Sequence, residues 1–137
     1  TAETAKPLCS LYPDIPCEEW PVHEFTYISP FRCQNTNMAD RKPMVEAYWQ
    51  RADPNYCDGA GAESFNSFLN RAGLLLSKLE KREEKFIAIF THGQFMCGIK
   101  WILDQKGNNS KISDMLAFRK FISVVAPKNG QKMELSL

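Results

Sequence analysis

The sequence predicts an α/β fold, helices packed on a mostly parallel sheet, and two observations predict it. The first is Phe86-Ile87-Ala88-Ile89-Phe90, an unbroken apolar run that suits a strand buried on both faces. It ends in Thr91-His92-Gly93, and the residues that follow place Phe95, Ile99, Ile102 and Leu103 at i, i+4, i+7 and i+8, one face of a helix. The second is the interleaving of helical stripes with short apolar runs along the chain, which packs as an α/β sandwich.

Taken in order, residues 1–12 read as the end of a helix closed by Pro13. Cys17 to Trp20 reads as a short strand. Pro21 to Ala39 holds Pro, Ser, Asn and Thr without a sustained period, and a loop of that length is usually functional. Asp40 to Arg51 reads as a helix with Asp40 as its N-cap and Pro43 in its first turn. Asp53 to Gly61 is a turn-rich connection.

The clearest helix follows. Phe65, Phe68, Leu69, Ala72, Leu75, Leu76 and Leu79 repeat at helical spacing. Glu63 and Ser64 suit its amide-rich start, and Lys78, Lys81 and Arg82 suit its negative pole. Beyond the Phe86 strand and its helix, 105–110 is a polar loop and Ile112 to Val125 a helix. Residues 132–137 make a last strand by weak alternation.

Composition narrows the function. A chain of 137 residues fits one domain that buries roughly two-thirds of its unfolded surface. A net charge of +1 gives no electrostatic reason for a nucleic-acid or anionic-membrane partner. No apolar run approaches the ~20 residues of a membrane helix, and the first residues lack a signal-peptide layout. The five cysteines, Cys9, Cys17, Cys33, Cys57 and Cys97, are irregularly spaced, which predicts free thiols in a reduced, cytoplasmic chain. Cys97 reads as a packed core thiol. Asp40, Asp53 and Asp58 have no metal-site spacing, and no phosphate-binding glycine loop is present, so neither metal nor cofactor is expected.

His92 stands where a buried strand hands over to a helix. That is the edge of an α/β sheet at which ligands bind, beside helix amides that favour anions. Position alone serves a phosphate-binding imidazole and a helix-capping histidine equally well.

The flanking residues add a resemblance. Phe86 to Trp101 resembles the second-histidine segment of the histidine phosphatase superfamily, the phosphoglycerate mutase-like fold, in which a strand ends in Ser/Thr-His-Gly and enters a helix. Asp58-Gly59-Ala60-Gly61-Ala62-Glu63-Ser64-Phe65 resembles the Gly-Glu-Ser opening of that family's long helix. Thr1-Ala2-Glu3-Thr4-Ala5 resembles the tail of a Gln-Thr-Ala-Glu segment, and Asn129 to Leu135 fits a late Asn-Gly turn and final strand. The matches run in family order over nearly the whole chain.

The resemblance implies a three-layer α/β/α sandwich, with 1–137 a single partial domain that lacks the N-terminal strand and helix. It implies a phosphatase that hydrolyses a small phosphate ester through a phosphohistidine. The nucleophile of that relay stands in an Arg-His-Gly motif, and the histidines here are only His23 and His92. His92, with Gly93 beside it, would hold phosphoryl oxygens, and Glu24 matches the place of the general acid. Arg32, on the same loop as Glu24, is a candidate contact for an anionic substrate. His23 adjoins Glu24 and, on an extended segment, points the other way. The alternative is a catalytically inactive module that binds phosphate, or that assembles as a homo-oligomer through an exposed sheet edge.

Overall fold

Helices and the connections between them make up the computed structural model of the chain, which describes residues 2–106 and 112–135. In chain order the helices are α1 (Ala2–Leu11), α2 (Pro30–Cys33), α3 (Met38–Arg51), α4 (Phe65–Leu79), α5 (Gly93–Asp104) and α6 (Met115–Val125).

The apolar stripe of α4 accounts for its place at the centre. All seven of its predicted positions are buried, and the Ser64 side chain caps the helix by accepting from the Ser67 amide. α5 packs on α4, α6 on α5, and α3 on α6. The core between them is aromatic: Phe25 stacks on Phe68 with ring centroids 4.2 Å apart, and Phe118 of α6 lies 5.1 Å from Phe65 and 5.7 Å from Trp101.

Helix starts differ in detail from the expectation. α3 begins three residues early, capped by Asn37 rather than Asp40. Asp40 instead closes a capping box, its carboxylate accepting from the Asn37 amide at 3.0 Å. Pro43 therefore lies inside the helix. α6 starts at Met115, where the Asp114 side chain accepts from the Ala117 amide at 2.9 Å. Residues 30–33 form a helical turn inside the expected Pro21–Ala39 loop.

The sheet is the main correction. Among the described residues there is no strand, and the fold is all-helical rather than a three-layer α/β/α sandwich. The physical reason is pairing. A strand exists through a ladder of backbone hydrogen bonds. Among the described residues no such bond joins Phe86–Phe90 or 132–135 to another segment, and the bond at 17–20 is the local one from the Val22 amide to the Trp20 carbonyl. Phe86–Phe90 is non-helical with alternating exposure: Ile87 and Ile89 pack against the helical core, while Phe86, 84% exposed, and Ala88 face outward. Thr1, most of the expected 105–110 loop and the end of the expected last strand lie outside the described residues.

The thiol expectation is corrected at two positions. Cys9 and Cys17 form a disulfide, which tethers α1, a helix that buries no residue of its own. Cys33, Cys57 and Cys97 are free, and Cys97 is buried as expected. No helix among the described residues is long and apolar enough to cross a membrane.

Candidate functional site

His92 is the N-cap of α5. Its backbone is extended (φ −116°, ψ 161°), and its carbonyl accepts from the Met96 amide at 3.0 Å. The imidazole makes no capping bond, and among the described residues it makes no hydrogen bond at all. The first-turn amides of α5 have no intrahelical acceptor and need another partner.

That partner is Glu24. The Gln94 amide donates to its Oε2 at 3.3 Å and the Phe95 amide to its Oε1 at 3.2 Å, across 70 and 71 residues of sequence. The Phe25 amide adds a third bond to Oε1 at 3.0 Å. A carboxylate here meets the positive end of the helix dipole. The anion position at the head of α5 is thus filled by the chain's own glutamate. The preceding turn is bound to the same loop, since Thr91 Oγ1 donates to the Val22 carbonyl at 2.5 Å.

Arg71, on α4, holds that loop in place. Its Nη1 donates to the carbonyls of Pro21 and His23, each at 2.9 Å. Its Nη2 and Nε donate to Glu63 Oε1 and Oε2 at 2.6 and 3.3 Å. Glu63 binds the loop directly as well, its amide donating to the Thr26 carbonyl at 2.9 Å. The guanidinium lies 4.7 Å from the centroid of the Phe95 ring, a cation–π contact on the first turn of α5.

Of the four sequence-predicted residues, Glu24 binds the Gln94 and Phe95 amides in the first turn of the helix that His92 caps. Gly93 is the first residue of α5, and a Cβ there would meet Pro127 at an ordinary 3.8 Å. Arg32 goes elsewhere: it pairs with Asp58, whose other contacts are the Tyr56 hydroxyl at 3.1 Å and the Ser29 amide at 3.0 Å. Among the described residues no hydrogen bond or ion pair links Arg32 to Glu24 or His92. His23 has an exposed side chain and serves the site through its carbonyl.

Arg71 is not among the residues that the sequence singles out, and Glu63 is there a residue suited to the helix start. A signal was present. Arg71 lies at i+3 from Phe68 and i−4 from Leu75, on the border of a buried stripe where a charge needs a partner.

A cavity of about 200 Å³ opens one turn further along α5, among Met96, Cys97, Lys100, Val125, Pro127 and Met133. Burial first, and the Glu24 charge second, push the Cys97 thiol up to about 11, which makes it an inert packing group. Gln94 Oε1 is buried beside the site with no partner among the described residues.

At the far end of the loop, Glu18 sits among the Trp20 indole, Arg82 and Lys78. The hydrogen bond from Trp20, then that from Arg82, hold its carboxyl down to about 2.

No protein-family model, no curated protein and no solved structure matches the chain, so the functional reading rests on this geometry.

Proposed function

We propose that the head of α5 is the acid-and-imidazole half of a site that hydrolyses a small phosphate ester, with a histidine nucleophile supplied from outside these 137 residues. Kinship with the histidine phosphatase superfamily belongs to the same proposal. One observation supports it. The Glu24 carboxylate accepts from the Gln94 and Phe95 amides at the head of the helix that His92 caps, where amides and dipole favour an anion.

The chemistry follows from that arrangement. An arriving phosphoryl group competes with Glu24 for the Gln94 and Phe95 amides, and the unengaged His92 ring donates to a phosphoryl oxygen. As the outside histidine forms its N–P bond and the ester P–O bond breaks, Glu24, displaced from the amides and carrying a proton taken from solvent, gives it to the leaving oxygen. Water then cleaves the N–P bond and releases inorganic phosphate. Gly93 keeps the backbone close to the substrate. Arg32 reaches it only by leaving Asp58. The cytoplasm is the proposed setting, and there the Cys9–Cys17 bridge would be reduced. Because α1 buries nothing, that reduction frees a tether and leaves the core intact.

The test is turnover of a phosphate monoester by the intact natural gene product. His92→Ala should lower turnover by orders of magnitude and leave the circular dichroism spectrum unchanged. Unchanged turnover would remove His92 from the site.

A second reading is favoured by the Phe86–Phe90 segment, which has an exposed Phe86 and no backbone pairing among the described residues. In it the chain is a non-catalytic module that pairs with a second copy along this segment. Sedimentation that reports dimers at rising concentration, with no amide shifts on adding phosphate, would select it.

A further inference from the structure

We infer that Arg71, with Glu63, is the positioning residue of this site and determines where the Glu24 carboxylate stands. The two charged side chains are only 12% and 17% exposed, and neither touches the head of α5 through a hydrogen bond. Their bonds go to the backbone on both sides of Glu24. Pro21 and His23 are held by Arg71 from before it, and Thr26 by Glu63 from after it. The His23 carbonyl belongs to the peptide plane that enters Glu24. Fixing that oxygen fixes the orientation from which the Glu24 side chain departs.

Arginine is suited to this work in a way that lysine is not. A planar guanidinium offers five donors in a fixed fork and a flat face. Arg71 uses the fork on two carbonyls and both carboxylate oxygens of Glu63, and its face on Phe95. It thereby spans α4, the loop and α5. A lysine ammonium reaches some of those oxygens from a single point and offers no face. The structural half of this inference stands by itself, and its catalytic half rests on the role proposed for Glu24.

Amide hydrogen exchange in the ¹⁵N-labelled chain separates the two halves. The Gln94 and Phe95 amides lie in the first turn of α5 and are held by Glu24, so their exchange reports whether the carboxylate is in place. Glu24→Ala sets the unprotected level. Arg71→Lys should bring both amides to that level, about tenfold or more faster than in the parent, while mid-helix amides of α4 and α5 stay protected. Unchanged exchange at the two amides overturns the inference. Should Arg71→Lys unfold the chain, Glu63→Gln decides in the same way, by faster or unchanged exchange at those two positions.

In the intact gene product Arg71→Lys should lower kcat, and KM should fall with it because a displaced Glu24 no longer competes with the phosphoryl group for the two amides. Exchange that responds in a protein whose parent has no turnover would retain the positioning role and reject the hydrolase reading.

Discussion

Replacing Gly98 by alanine adds one methyl group to the face of α5 that meets α4, where no space exists for it. Built on the backbone, that Cβ lies 2.5 Å from Cζ, 3.0 Å from Cε1 and 3.3 Å from Cε2 of Phe68. Carbon atoms attract best at about 3.5–4.0 Å, so the closest contact is roughly 1 Å too short. The ring has little room to retreat. It is fully buried, stacked on Phe25 at 4.2 Å, and meets Phe118 and Phe95 edge-on at 5.9 and 6.2 Å.

Two effects oppose each other. Alanine in a helix is worth about 1 kcal/mol over glycine. Overpacking a filled core costs about 1–3 kcal/mol, and a contact this short belongs at the upper end. Gly98→Ala should therefore destabilise by about 1–2 kcal/mol. Gly73, in α4, is the internal control, because nothing lies within 4 Å of its added Cβ. Gly73→Ala should stabilise by about 1 kcal/mol.

The two variants then differ by about 2–3 kcal/mol. For a chain of 137 residues, an unfolding entropy of about 2.1 cal/mol/K per residue turns this into melting temperatures about 7–10 °C apart. Differential scanning calorimetry, with urea titration at 25 °C, measures both. A Gly98→Ala protein as stable as the Gly73→Ala protein would refute the close packing of Gly98 against Phe68.

Other outcomes follow from the same structure. Glu24→Ala leaves the first-turn amides of α5 without their acceptor and should cost about 0.5–2 kcal/mol, as the loss of an N-cap does. The same variant should show larger inorganic-phosphate shifts at Gln94 and Phe95 than the parent, and equal shifts would mean that Glu24 does not occupy the anion position. The Cys97 thiol, raised from 9.0 to about 11, favours the folded state while it is protonated. Its contribution is complete below pH 9 and lost as pH rises towards 11, so Cys97→Ala should flatten that arm of a pH–stability curve. Glu18, lowered from 4.5 to about 2, behaves in the opposite sense: its contribution is present above pH 4.5 and lost as pH falls towards 2. Glu18→Gln should flatten the acid arm, and an unchanged arm would show that Trp20 and Arg82 do not hold that carboxylate in solution.

What the sequence revealed depended on how local each feature is. The stripe from Phe65 to Leu79 is legible in the sequence because helical periodicity is set by residues three and four apart. The start of α3 differs from the expectation because Asn37 and Asp40 are both capping residues three positions apart, and only the geometry assigns one to the cap and the other to the box. The apolar run from Phe86 to Phe90 signals burial, and the sequence expectation of a paired strand goes further than that signal. Burial is a property of side chains, whereas pairing needs a second backbone that the run itself does not contain. The tie between the Glu24 loop and the helices is not local: Arg71 reaches the Pro21 carbonyl across 50 residues of sequence, a separation that no window of neighbouring residues reveals. The Cys9–Cys17 bridge had no spacing signature, since its closure depends on the turn around Pro13.

The run from Phe86 to Phe90 also bears on how the chain behaves in a crowded solution. Five consecutive apolar residues with no Gly or Pro, rich in β-branched and aromatic side chains, with backbone groups that pair with no other backbone among the described residues, are what cross-β aggregates recruit. Lys81-Arg82-Glu83-Glu84-Lys85 stands directly before it, a block of charge in the place that gatekeeper residues take beside aggregation-prone strands. Those charges are screened by salt. The solubility of the chain should accordingly be governed by ionic strength, with the protein dispersed in dilute buffer and driven into fibrillar or amorphous deposits as salt rises.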